Sequence, residues 1–131
     1  MKPVWIEFSP KGDARGGMYV LESEKNLPFT LKRVYYILDV PPETSRGFHA
    51  HKALEQVAVC MKGSCKMILD DGKDKGEFLL DSPSKGLYIG NMIWREMHDF
   101  TEDALLVVFA SEYYEEEDYI RDYNEFLSTV T

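Results

Sequence analysis

Cysteine is scarce in this chain: Cys60 and Cys65 are the only two among 131 residues. A small secreted domain held by a disulfide framework carries more. Both are therefore expected as reduced thiols on adjacent apolar strands. Long apolar runs are also missing. Nothing approaches the ~18 consecutive apolar residues of a membrane span, and Met1 to Pro10 lacks the basic-then-apolar pattern of a signal peptide. The expectation is a soluble, cytoplasmic protein with no membrane partner. Basic residues are few, with 15 Lys and Arg against 23 Asp and Glu and a formal charge of −8. That balance argues against a nucleic-acid partner, because phosphate backbones are bound by clustered cations. It still allows a small anionic ligand in a locally basic pocket. No Gly-x-Gly-x-x-Gly follows a strand and no Gly-x-x-x-x-Gly-Lys-Ser/Thr occurs, so neither phosphate-cradling loop is encoded.

What is present is a core-forming composition, 44% hydrophobic and 13% aromatic. The length fits one domain spanning 1–131. Strand signals dominate: Val4 to Phe8, Gly17 to Leu21, Leu31 to Val40, Leu54 to Met61, Cys65 to Leu69, Glu77 to Leu80, Leu87 to Ile89, Met92 to Met97 and Ala104 to Ala110. Gly63 marks a tight turn, and Asp70-Asp71-Gly72 a hairpin. Many short strands between turn signals predict an all-β sandwich or barrel. One short C-terminal helix is expected, because Tyr119, Ile120, Tyr123, Phe126 and Leu127 recur at helical spacing behind acidic residues. The run Glu115, Glu116, Glu117 and Asp118 reads as a solvated face or a helix start.

Histidine is rarer than the average residue, three in all, yet two of them lie in Arg46-Gly47-Phe48-His49-Ala50-His51-Lys52. Residues two apart on a strand share a face. His49 and His51 should thus project together, with Ala50 on the other side. Such a pair suits metal ligation by two neutral imidazoles or proton transfer near neutral pH.

Gly47, His49-Ala50-His51, Glu55 and Gly63 resemble the first motif of the cupins. The longer run Ser45 to Lys52, with Ile68-Leu69-Asp70-Asp71-Gly72, Gly86-Leu87-Tyr88-Ile89-Gly90 and Met92-Ile93-Trp94, resembles the nucleotide-sugar 3,4-ketoisomerases of that superfamily. The resemblance covers nearly the whole chain. It implies a cupin jelly-roll barrel, a dTDP-linked 4-keto-6-deoxyhexose as substrate, and a keto group moved from C4 to C3. It also implies a homodimer paired through N-terminal strands, no cofactor, and a place in dTDP-3-amino-sugar synthesis for a surface glycan such as lipopolysaccharide. A dTDP-sugar 3,5-epimerase and a non-catalytic sugar-binding cupin are the alternatives.

Metal-binding cupins take a further histidine from a second motif, and Ile93 stands at that place. Alternation puts Ile93, Arg95 and Met97 on one face and His98 on the other, so a metal-free site is expected, with Glu55 as the one remaining candidate ligand. His49 is assigned as the C3 base and His51 as a proton shuttle or enediolate stabiliser, although spacing leaves the two roles interchangeable. Candidate substrate contacts are the cations Arg15, Arg33, Arg46, Lys52 and Arg95, since arginine suits bidentate phosphate contacts. Alternation turns Lys52 away from the barrel and Arg95 into it. Tyr35, Ser45, Gln56 and Asn91 are candidate hydrogen-bonding groups, and Trp94 or Tyr88 a candidate stacking partner for thymine.

Overall fold

Alternating burial along short segments produces ten strands and one helix in the computed structural model, which describes residues 1–131. The strands are β1 (Val4–Glu7), β2 (Arg33–Leu38), β3 (Arg46–His51), β4 (Gln56–Lys62), β5 (Cys65–Asp70), β6 (Lys75–Leu80), β7 (Lys85–Ile89), β8 (Trp94–His98), β9 (Leu105–Ala110) and β10 (Tyr119–Ile120). The helix α1 spans Tyr123–Val130.

The pairing explains the architecture. Strand β5 pairs with β6, β4 with β7, β3 with β8 and β2 with β9, all antiparallel. These nested pairs are one long antiparallel ribbon, turned back at the Asp70-Asp71-Gly72 hairpin. Rolled up, the ribbon sends alternate pairs to opposite sheets. The result is two five-stranded sheets, β1-β7-β4-β9-β2 and β10-β3-β8-β5-β6. This is the jelly-roll arrangement, all-β with a short terminal helix, as expected.

The inner faces enclose a cluster of 12 buried apolar residues, among them Met67, Leu69, Leu87, Ile89, Met97, Leu106 and Val108. Cys60 and Cys65 belong to it as free thiols, one from each sheet. Their strands follow one another in the chain but face each other across the core. Two smaller clusters cover the outer faces. Phe8, Leu27 and Phe29 pack on Val57 and Val59. This makes β4 buried on both sides from Gln56 to Cys60, which is why its sequence is a continuous Val and Ala run rather than an alternation. On the other sheet, Ile120 and Phe126 close over Ala50 and Trp94.

Two expectations are corrected. Gly17 to Leu21 is not a strand. Tyr19 and Leu21 are half-buried against the Phe8 cluster, so their apolar character serves packing without a backbone ladder. Tyr119 and Ile120 are not helical but pair with His51 and Ala50. The helix starts after Asp122, whose extended backbone and side chain, accepting from the Asn124 N–H at 3.2 Å, form the N-cap. No helix is long and apolar enough to cross a membrane.

Candidate active site

The histidine strand is not a regular strand. Gly47 lies opposite Glu96 and His49 opposite Arg95, so Phe48 is an extra residue, a β-bulge. Gly47 and Phe48 both have positive φ, 92° and 61°. At Gly47 a side chain would also be crowded, because a Cβ there would meet the Arg95 carbonyl oxygen at 3.1 Å. The bulge throws Phe48 outward, against the edge of the His98 ring. It also shifts the alternation. Arg46 faces Met97 and His49 faces Arg95, so Arg46 and His49 reach the same side although they are three apart. Beyond the bulge, alternation holds, and the His49 and His51 rings stand edge to face with centroids 4.9 Å apart.

A cleft of about 360 Å³ opens at this end of the barrel, lined by Arg33, Tyr35, Arg46, His49, Tyr119 and Arg121 among others. His51 lies behind that wall, 1% exposed. Strand β10 sets Tyr119 beside His51, and its ring centroid is 4.3 Å from His51 and 5.0 Å from His49. The Arg121 guanidinium covers the Tyr119 ring at 4.2 Å and is held by Glu116 at 2.8 and 3.0 Å. Arg33 sits between the rings of Tyr35 and Tyr114, 5.5 and 5.7 Å away.

Beneath the histidines lies Arg95, fully buried. It donates to Gln56 Oε1 and, at 2.9 Å, to the Ile93 carbonyl. Gln56 Nε2 in turn donates to the Tyr35 hydroxyl at 3.0 Å. A buried guanidinium next to two imidazoles has a direct electrostatic effect. Burial first, then the Arg95 charge, pushes His49 down to about 4 and His51 down to about 2. Both rings are neutral at physiological pH and available as proton acceptors. Burial lowers Arg95 to about 10 against the opposing pull of Tyr35, Tyr119 and Asp118, so it stays charged.

Of the residues expected from the sequence, His49, Arg33, Tyr35 and Arg46 line the cleft, while His51, Gln56 and Arg95 are buried behind its wall. The others lie elsewhere. Arg15 is exposed on a loop and held by Asp13. Ser45 bonds His98 Nδ1 at 2.7 Å. Lys52 is exposed, as alternation predicts. Asn91 donates to the Lys52 carbonyl and borders a separate depression with Met1 and Lys2. Trp94 packs on Tyr123 and Phe126 under the helix, so its ring is turned from the cleft. Tyr88 donates to Glu55 on the outer face, which takes that carboxylate away from the histidines. Ile93 packs on the central core, and no set of three or more His, Cys, Asp or Glu side chains is arranged to hold a metal ion.

Sequence reasoning missed Asp118, Tyr119, Tyr114 and Arg121. The run expected as a solvated face contributes Asp118 to His51 Nδ1 at 3.1 Å. One signal was available: Asp122 followed by Glu125 has the spacing of a helix-capping pair, which places residues 118–120 outside the helix.

The chain matches, over residues 1–131, the family described as FdtA: WxcM-like, C-terminal. It is 55% identical, over 92% of its length and 87% of the relative's, to the TDP-4-oxo-6-deoxy-alpha-D-glucose-3,4-oxoisomerase of Aneurinibacillus thermoaerophilus. Its fold superimposes with a TM-score of 0.95 on a 3,4-ketoisomerase from Helicobacter canadensis, at 48% identity and covering 99% of this chain and 98% of that one. The same score relates it to a mutant of the 3,4-ketoisomerase QdtA from Thermoanaerobacterium thermosaccharolyticum in complex with TDP-4-keto-6-deoxyglucose, at 43% identity and covering 98% and 93%.

Proposed function

The chain belongs to the FdtA family, WxcM-like, C-terminal, and from that membership we infer that it is a 3,4-ketoisomerase acting on dTDP-4-keto-6-deoxy-D-glucose. The observation that carries the reading is the pair of neutral imidazoles 4.9 Å apart at the wall of a cation-lined cleft.

The chemistry follows from that pair. The C4 ketone acidifies the C3 hydrogen. His49, on the cleft wall, removes it and an enediolate forms across C3 and C4. His51, beside it, moves the hydroxyl proton from O3 toward O4, and a proton returns to carbon at C4. The keto group then stands at C3. Hydrogen moves only as protons, so the step balances without a redox partner. Arg95 supports it twice: with burial, its charge keeps both imidazoles unprotonated, and a guanidinium beneath the histidines would stabilise the negative charge of an enediolate held there. Arg33, Arg46 and Arg121 suit the substrate's pyrophosphate, and Tyr35, Tyr114 and Tyr119 offer rings for the sugar and thymine.

In this reading the protein is a homodimer. β1 is an edge strand, and Val34, Tyr36 and Leu38 expose apolar side chains on the other edge strand, β2, both surfaces that a second copy would cover. The product is a 3-keto sugar ready for amination at C3, on the way to a surface glycan.

Proton NMR of dTDP-4-keto-6-deoxyglucose incubated with the protein in D₂O tests the function. The expected result is carbonyl migration to C3 with deuterium at C4. Deuterium exchange at C3 and C5 without migration would assign an epimerase instead, and no exchange at all would leave only a binding protein.

A further inference from the structure

The acidic run before β10 contains one carboxylate unlike its neighbours. Asp118 is held from several directions. Its Oδ1 accepts the Ala53 N–H at 2.8 Å and its Oδ2 accepts the Leu54 N–H at 3.3 Å. Its backbone carbonyl accepts the Lys52 N–H at 2.9 Å. These three amides directly follow His51, so the turn that ends β3 is built around Asp118. The remaining contact of Oδ2 is His51 Nδ1, at 3.1 Å. An ionised carboxylate only accepts, so His51 Nδ1 must donate. A neutral imidazole carries one N–H. Spending it on Asp118 leaves Nε2 as the lone pair, and Nε2 is buried without any partner.

We propose that Asp118 is a positioning residue that fixes His51 as its Nδ1–H tautomer and so presents Nε2 as the acceptor in the isomerisation. The alternative tautomer would put a proton on the buried, unpartnered nitrogen and set an Nδ1 lone pair against a carboxylate. Both are unfavourable. Solvent cannot correct the tautomer, because His51 is 1% exposed. The main-chain contacts matter as much as the carboxylate itself: they stop Asp118 from swinging out to water, where the other members of the run point.

The kinetic part of this inference rests on the ketoisomerase reading; the tautomer does not. Two-dimensional ¹⁵N–¹H NMR of the histidine rings in the wild-type protein reads the tautomer directly. The expected spectrum shows neutral His51 protonated on Nδ1. Protonation on Nε2 overturns the proposal with no variant needed. In Asp118→Ala the proton should spread over both nitrogens, and kcat for the isomerisation should fall about 10²-fold, the lower range for losing a general base, while the Kd for dTDP stays within about threefold. A kcat within threefold of wild type overturns the proposal. So does a loss of dTDP affinity as large as the loss of kcat, which marks collapse of β3 rather than a misplaced proton. A wild-type protein with the expected tautomer but no isomerase activity would instead refute the functional reading and leave the tautomer assignment standing.

Discussion

The two ends of the space between the sheets are built on opposite rules. The central core consists of 12 apolar residues, with Met67, Cys65, Leu87 and Leu106 wholly shielded from solvent. The histidine end is as well shielded at Arg95, His51 and Gln56, yet it is polar. Every buried side-chain nitrogen without a partner belongs to it: Arg33 Nε and Nη2, His49 Nδ1, His51 Nε2 and Arg95 Nε. A buried polar group left unpaired costs about 1–3 kcal/mol. The core therefore stabilises the protein, while the cleft spends stability on donors and acceptors held ready for a ligand. The bulge at Phe48 marks the border between them, since it turns Arg46 to the His49 side while the rest of β8 keeps its regular alternation.

This division has consequences that separate activity from stability. His49→Asn should have the largest effect. It removes the proposed base and should lower kcat by about 10²–10⁴-fold, or about 3–5 kcal/mol in the transition state. Its thermal midpoint should stay close to that of wild type, because the ring is not part of the apolar cluster. Steady-state kinetics and a calorimetric scan on the same preparation check both halves, and near-normal turnover would refute the role of His49.

The converse substitution is Leu106→Ala, in the shielded core. Removing three buried carbons and leaving a cavity should cost about 2–5 kcal/mol of stability. At a temperature where the variant is fully folded, kcat should change little, since Leu106 does not line the cleft. Urea unfolding gives the first quantity. A variant that loses activity in proportion to stability would mean that the two ends are mechanically one unit.

The contrast also explains what could be read from the sequence. The core is repetitive: alternation, the continuous apolar run of β4 and turn residues marked eight of the ten strands, because burial on a pleated sheet has a period of two or, where both faces are covered, is continuous. The histidine pair was legible for the same reason, both residues lying beyond the bulge. Features that depend on one local exception were not. Nothing in Arg46-Gly47-Phe48 announces two consecutive positive-φ residues, so the shared orientation of Arg46 and His49 was invisible. Trp94 reads as a stacking partner from its type alone, but the helix that covers it is fixed only by tertiary packing. Asp118 looks like Glu115, Glu116 and Glu117, and only the return of β10 alongside β3 distinguishes it.

The smallest effect, and the most direct measure of what the cleft costs, is in the pH dependence of stability. His51 is held down to about 2 in the folded protein, against 6.5 for an unperturbed side chain. Below pH 6.5 the unfolded chain therefore takes up a proton at His51 that the folded protein refuses. Proton uptake by the unfolded state alone means that stability falls as pH falls. A single such group contributes at most about 1.4 kcal/mol per pH unit, and His49, held down to about 4, adds in the same direction down to that pH. The window from pH 6.5 to about 5.5 reports mainly the histidines, because the lowered carboxylate Glu116 has an ordinary value of 4.5 and takes up little proton in the unfolded chain above that window. In wild type, denaturation curves across this window should show a steady loss of stability towards acid. In His51→Asn the slope should flatten by up to about 1.4 kcal/mol per pH unit, while in Leu106→Ala the whole curve should drop with its slope unchanged. An identical slope in His51→Asn would show that His51 titrates normally, and that neither its burial nor the buried cation beside it holds it neutral.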